Sequence, residues 1–254
     1  MINNRQEMIR NYLFEKGQTP VQALADMLGA SLATVRRDLV EMEQAGVIER
    51  LHGSARIASG AKGEVGFGAR ESANLLAKRA IASAAAETIV AGSTIFLDAG
   101  TTVLQLARRI KLMGMPLTVF TNGLTVAQEL AHIPGISVCL LGGRIRPENM
   151  SIVGPLAEQM MEKLWFDQLF LGASAIADDG WLSSYDADEA RLNGCMVSRA
   201  QHTYILADGD KFGSRATYNV FRLSSAVKLI TDRGFDGEFS AFAQEADLRI
   251  IYAE

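Results

Sequence analysis

The sequence predicts an α/β protein in two parts: a short helical unit at the N-terminus and a longer unit in which helices alternate with parallel strands. Three observations predict it. Residues 1–57 show three closely spaced helical periodicities and then an alternating stretch. Gly60, Gly63, Gly66 and Gly68 crowd one segment and mark a linker. Beyond it, short apolar runs recur between amphipathic helices, the pattern of a largely parallel sheet. The expected boundaries are 1–58, 59–70 and 71–254.

Arg5 to Lys16 reads as a first helix, with Ile9 and Leu13 on one face and Gly17 to end it. Thr19 is expected to N-cap a second helix, with Pro20 at its first position and Gln22 completing a capping box. Val21, Leu24, Ala25 and Leu28 form its apolar stripe, and Gly29 stops it. Ser31 is the next N-cap candidate. In the third helix Leu32, Val35, Leu39 and Met42 face a core, leaving Ala33, Thr34, Arg36, Arg37 and Val40 outward. Two helices joined by a tight glycine-containing turn form a helix-turn-helix, whose second helix offers its first residues to the DNA major groove. Arginine there can grip guanine edges or phosphate. Val47 to Leu51 alternates like a strand, His52-Gly53-Ser54 turns, and Ala55 to Ala58 returns, making a wing with Arg50, His52 and Arg56 at hand. The DNA-contacting candidates are Ser31, Ala33, Thr34, Arg36, Arg37, Arg50 and His52, and the partner is double-stranded operator DNA.

In the longer unit, strands are expected at 94–98, 117–121, 137–141, 168–171, 203–207, 227–231 and 248–252. Helices are expected at 72–90 and near 102–112, 124–132, 155–164 and 186–200. Ligands of parallel sheets bind at the carboxyl ends of strands, so those ends hold the candidate residues. One strand ends in Asp98-Ala99-Gly100-Thr101-Thr102 before a helix whose free N–H groups attract an anion. A second ends in Thr121-Asn122-Gly123 and a third in Gly142-Gly143-Arg144.

Net charge is −4, yet the first 59 residues balance seven basic against seven acidic side chains. Charge therefore decides nothing about nucleic acid. No apolar run nears the roughly 20 residues of a membrane span. No apolar stretch follows a basic start, and Cys139 and Cys195 lack metal-ligand spacing, so a reducing cytoplasm is expected, with no cofactor and no metal.

The runs Arg5…Ile9…Leu13, Ser31-Leu32-Ala33-Thr34-Val35-Arg36-Arg37-Asp38-Leu39 and Arg50-Leu51-His52-Gly53-Ser54-Ala55 resemble the DeoR family of bacterial regulators. Ser54 replaces the family's usual second wing glycine. The resemblance continues through Asp98–Thr102, Thr121-Asn122, Leu140–Gly143, Val153-Gly154-Pro155, Leu171-Gly172-Ala173, Glu189-Ala190 and Ala207–Gly213. It implies a sensor domain resembling ribose-5-phosphate isomerase that binds phosphorylated sugars. In that frame Asp98, Gly100, Thr101 and Thr102 hold phosphate or hydroxyls, with Thr121 and Asn122 beside them. Gly142, Gly143 and Arg144 line the site, and Glu189 and Lys211 close its polar end. It further implies a homo-oligomer, dimer or tetramer, that represses a sugar or polyol catabolic operon until effector releases it. Two departures lie near the implied ligand: Asn193 stands where the family usually has lysine, and residues 182–186 read Leu-Ser-Ser-Tyr-Asp. The alternative, an isomerase with an appended DNA-binding domain, needs carboxylates where Leu171-Gly172-Ala173-Ser174-Ala175 stands, and they are missing.

Overall fold

The computed structural model describes residues 4–44, 47–51, 53–57, 66–233 and 237–254. They divide into two compact units, Met1–Ala73 and Asn74–Glu254.

In the first unit, α1 (Asn4–Lys16) is followed by β1 (Thr19–Pro20), α2 (Val21–Leu28), α3 (Leu32–Gln44), β2 (Ile48–Leu51), β3 (Ser54–Ile57) and α4 (Phe67–Ser72). Ile9, Leu13, Leu24, Val35, Leu39 and Met42 interlock with Val47, Ile48 and Ala55 of the wing. Gly17 (φ 71°) ends α1, its N–H donating to the Leu13 carbonyl at 2.9 Å. Gly29 (φ 60°) ends α2. The expected capping box at α2 does not form. Pro20 is the N-cap, the Thr19 hydroxyl donates to the Gly17 carbonyl, and the Gln22 amide donates to Asp26. The reason is that Thr19 and Pro20 pair with Ala55 and Ser54 as the third strand of the wing, in the order β1-β3-β2. Ser31 does cap α3: its Oγ accepts the Thr34 N–H at 3.2 Å. Ser31→Ala should cost about 1 kcal/mol of unfolding free energy, read from urea denaturation.

The C-terminal part of the expected linker is ordered differently. Residues 67–72 form α4 with Phe67 buried, while 58–65 lie outside the described residues. The single helix expected over 72–90 is interrupted. Ala73 is extended, Asn74 is left-handed (φ 51°), and α5 (Leu75–Ala86) begins afresh. Asn74 Nδ2 donates to Asp208 at 3.1 Å and to Asp210 at 2.7 Å, which fixes the break.

After α5 come β4 (Thr94–Leu97), α6 (Thr101–Ile110), β5 (Leu117–Thr121), α7 (Leu124–Leu130) and β6 (Ile136–Leu140). The hairpin β7 (Arg144–Arg146)–β8 (Ser151–Val153), α8 (Pro155–Met161) and β9 (Phe166–Gly172) follow. Next are β10 (Ala175–Ile176), β11 (Trp181–Ser184), α9 (Ala187–Val197), β12 (Ala200–Leu206), β13 (Tyr218–Arg222), β14 (Val227–Thr231), α10 (Glu238–Glu245) and β15 (Arg249–Tyr252). Seven parallel strands lie in the order β15-β14-β12-β9-β4-β5-β6, each at an expected place. Ile95, Phe96, Leu97, Leu169, Phe170 and Leu171 are fully buried, as strands covered on both faces must be. The chain winds outward from β4 through β5 to β6, then crosses back to β9 and winds the other way. The switch point, where such sheets open a crevice, therefore lies between the carboxyl ends of β4 and β9.

The hairpin β7–β8, the small antiparallel sheet β10-β11-β13 and α10 were not expected. The strands β7, β8 and β10 have two or three residues each, too few to show a period. Among the described residues no helix is long and apolar enough to cross a membrane.

Candidate functional site

In the first unit, α3 presents Ala33, Arg36 and Arg37 to solvent, with Thr34 and Val40 half-buried. Among the described residues neither Arg36 nor Arg37 has an ion-pair or hydrogen-bond partner, so both guanidinium groups are available to DNA. Ser31 is exposed, but its hydroxyl is held by the Thr34 backbone and hydroxyl. Arg50 is paired with Glu43 at 2.7 Å, and Arg56 with Glu49 at 2.7 Å. Both pairs are exposed and worth under about 1 kcal/mol, so phosphate can displace either partner. His52 lies outside the described residues. The buried Asp38, next to the arginine pair, accepts from Arg5 Nη2 at 2.9 Å and clamps α1 to α3. Sequence reading gave it no role, because a carboxylate in an apolar stripe shows its partner only in three dimensions.

In the second unit, the switch point is where the candidate residues meet. Asp98 continues β4, is 4% exposed, and its Oδ2 accepts the Gly172 N–H across the crevice at 3.2 Å. Gly100 and Gly172 pass so closely that a Cβ on either would sit 3.5 Å from the other's Cα. Gly100 caps α6 with no side-chain bond to the helix's first N–H groups, and Thr101 and Thr102 fill the buried first turn. From β5, Thr121 Oγ1 accepts the Gly123 N–H at 2.9 Å, and a Cβ on Gly123 would approach Ala99 Cα to 2.9 Å. The tight turn presses Asn122 toward Asp98, where its side chain favours the charged carboxylate, and its Nδ2 donates to the Ile152 carbonyl at 3.5 Å. Among the described residues the buried Asn122 Oδ1 and Ser151 Oγ have no partner.

Glu189 sits in the first turn of α9, whose N-cap Asp186 accepts the Glu189 N–H at 2.9 Å. Its carboxylate is buried and receives Arg146 Nη1 at 2.7 Å, while Arg146 Nε lies 3.5 Å from Asp186. Arg146, not Arg144, is thus the buried arginine of this centre. Arg144 is exposed and paired with Asp188 at 2.6 Å. The two stand two residues apart on β7, and only the fold of the hairpin tells which one enters. Gly142 and Gly143 turn the chain into that hairpin: the Gly142 N–H points at Met160 Sδ, and a Cβ on Gly143 (φ 152°) would clash with Ile152 and Val153 at 2.8 Å. Lys211 is half-buried in a one-turn helix after β12, whose last residue pairs with Gly172, so its loop rises on the same edge of the sheet. A further residue is Lys78, 2% exposed on α5, which packs against α6, β12 and β14. The available signal was a lysine in the stripe Lys78, Ala82, Ala85, where an apolar residue belongs; lysine is almost never buried unpaired.

Burial raises the Asp98 carboxyl to about 7, with the nearby Glu189 carboxylate adding to the effect and the Ala99, Gly172 and Asn122 donors opposing it. A carboxyl held above its unfolded value favours the folded state at low pH. That stability falls as pH rises from about 4 to about 7 and stays lost above. Asp98→Asn removes the penalty. At pH 8 the variant should be more stable than the parent by at most on the order of 4 kcal/mol, and near pH 4 the two should match, in urea titrations of the full chain.

A helix-turn-helix with two exposed arginines on its second helix, on one chain with a doubly wound domain holding a buried polar crevice, defines a DNA-binding regulator with a small-molecule sensor. The profile described as the DeoR-like helix-turn-helix domain matches residues 5–60, and that of the DeoR C terminal sensor domain matches 73–233. The HTH-type transcriptional regulator GlpR of Haloferax volcanii is 38% identical over 231 residues, covering 91% of this chain and 90% of its own. The HTH-type transcriptional repressor CsqR of Escherichia coli is 33% identical, covering 98% and 95%. The putative aga operon transcriptional repressor of Escherichia coli O157:H7 is 30% identical, covering 98% and 93%. Among solved structures, ribose 5 phosphate isomerase A from Neisseria gonorrhoeae matches 57% of this chain and 55% of its own, with a TM-score of 0.42 and 15% identity. The chain belongs to the DeoR family of transcriptional regulators, and it is a regulator rather than an isomerase.

Proposed function

We propose that this regulator represses a sugar or polyol catabolic operon in the cytoplasm, as a homo-oligomer that leaves its operator when a phosphorylated sugar enters the crevice at the switch point. The observation that carries the reading is the pairing of two unlike surfaces there. The uncapped first turn of α6, with Thr101 and Thr102, suits an anion. Beside it, the buried Asp98 and Asn122 suit hydroxyls. A ligand with a phosphate at one end and hydroxyls along its length fits both. Two subunits related by a two-fold axis would set the spacing of two recognition helices, hence of two half-sites. Effector must then bind the released arrangement more tightly than the DNA-bound one.

Gel retardation with the DNA upstream of the gene tests the reading, at one fixed near-physiological salt because affinity depends on it. Sugar phosphates are titrated in singly. At least one should release the DNA, and its parent sugar without phosphate should not. If DNA is bound and no phosphorylated sugar releases it, the effector assignment fails and the DNA-binding one stands.

A further inference from the structure

The two edges of the seven-stranded sheet differ. Among the described residues no strand pairs with the outer side of β6, so its outward N–H and C=O groups lie open. A sheet edge is ordinarily kept single by a charge, a proline or a bulge. The edge at β15 has Arg249, with Asp247 just before it. The edge at β6 has none of the three. Residues 133–143 read Ile-Pro-Gly-Ile-Ser-Val-Cys-Leu-Leu-Gly-Gly, without a charge, and the proline precedes the strand. The register with β5 runs unbroken from Ile136 to Leu140. Ser137, Cys139 and Leu140 are exposed. Apolar surface continues past the strand. A Cβ on Gly142 would lie 3.5 Å from Met160 Sδ and 3.7 Å from Leu156 Cδ2, and Leu140, Leu156 and Met160 are 40%, 57% and 37% exposed. An open, neutral edge beside exposed apolar side chains is a surface for another strand to cover.

The chemistry of the strand selects its partner. About a two-fold axis a surface meets itself, so a charge near the axis approaches its own copy. Like charges opposite one another on paired strands are destabilising. The neutral β6 meets a second β6 without that cost, and antiparallel pairing matches its N–H and C=O groups to those of the copy. Pairing of β6 with another copy's β15 would repeat from chain to chain without closing, whereas β6 against β6 closes. We propose that two copies of this chain join through β6, antiparallel across a two-fold axis near Val138, their two seven-stranded sheets becoming one. Leu140, Leu156 and Met160 flank the seam. The inference rests on the homo-oligomer reading above and adds the surface to it.

The test is sedimentation velocity of the full-length chain, at a concentration where the parent is mostly assembled. An axis near Val138 places Ser137 opposite the partner's Cys139, so Ser137→Lys with Cys139→Lys sets lysine against lysine across the seam. Association should weaken at least about tenfold, and the sedimenting mass should fall by half. Ser137→Glu with Cys139→Glu should do the same. Mixed in equal amounts, the lysine and glutamate variants should recover the parent mass, because each seam then joins opposite charges. Tyr252→Lys, on the opposite edge, should leave the mass unchanged. If the parent is assembled and the lysine variant sediments with it, the β6 interface is refuted and the homo-oligomer stands. If both variants are folded by circular dichroism and their mixture stays at half mass, the strands do not face each other and the β6 interface is likewise refuted. If the parent sediments as a single chain even at its highest soluble concentration, the interface falls together with the homo-oligomer reading. Should the strand variants fail to fold, Leu156→Lys on α8 decides: it must weaken assembly, and an unchanged mass overturns the seam.

Discussion

Arg36→Ala combined with Arg37→Ala should abolish operator retention while leaving folding and assembly intact. Both side chains are exposed on the first turns of α3, and among the described residues they touch no partner, so the fold loses nothing with them. Against DNA each is worth roughly 1–3 kcal/mol if it reads a base edge. Together that is a loss of about thirtyfold to 10⁴-fold in affinity. The salt dependence distinguishes their roles. A phosphate contact removed lowers the slope of log affinity against log salt by about one, whereas a base contact removed lowers affinity at constant slope and relaxes sequence preference. Circular dichroism and sedimentation should match the parent. A double variant that still retards the operator to within a few-fold would remove α3 from the groove. Arg50→Ala gives the calibration: its guanidinium already has Glu43 at 2.7 Å, so its loss should be milder.

How much of this was legible in the sequence follows the range of the interactions concerned. The seven parallel strands and the three helices of the helix-turn-helix are written in local periodicity, and their positions could be read within a few residues. Ser31 as a cap and Gly17 and Gly29 as stops are local too. The capping box at Thr19 failed because β1 pairs with β3, some 35 positions on, and tertiary pairing overrode a local preference. The site shows the same division. Asp98, Thr101 and Asn122 were readable because strand ends in a parallel sheet converge by topology. Arg146 was not. Arg144 and Arg146 offer the same chemistry two residues apart on a strand too short to announce itself, and the choice between them is made by Asp186 and Glu189, about 40 positions on. Lys78 was hidden for the opposite reason: its helix was readable, but its charge argued for a surface that the packing of α5 on α6 denies it.

Arg146 accordingly carries the sharpest test of the crevice. Arg146→Ala leaves Glu189, whose side chain is 6% exposed, without its 2.7 Å partner, and deprives Asp186 as well. Breaking a buried pair by removing one member costs about 3–5 kcal/mol. Arg144→Ala breaks an exposed pair with Asp188 and should cost under about 1 kcal/mol. Urea denaturation of the two variants should therefore separate them clearly, although only two residues divide them. Stability alone would not make Arg146 part of the sensor, so a compensated variant is needed. Arg146→Met with Glu189→Gln replaces both charges by neutral groups of similar size and should recover most of the lost stability. If the pair serves only the fold, this double variant will bind operator and release it to effector as the parent does. If it orders the polar end of the crevice, the variant will bind operator normally and need at least about tenfold more effector to let go. A compensated variant with an unaltered release curve would confine Arg146 and Glu189 to structure and leave effector recognition to the ends of β4 and β5.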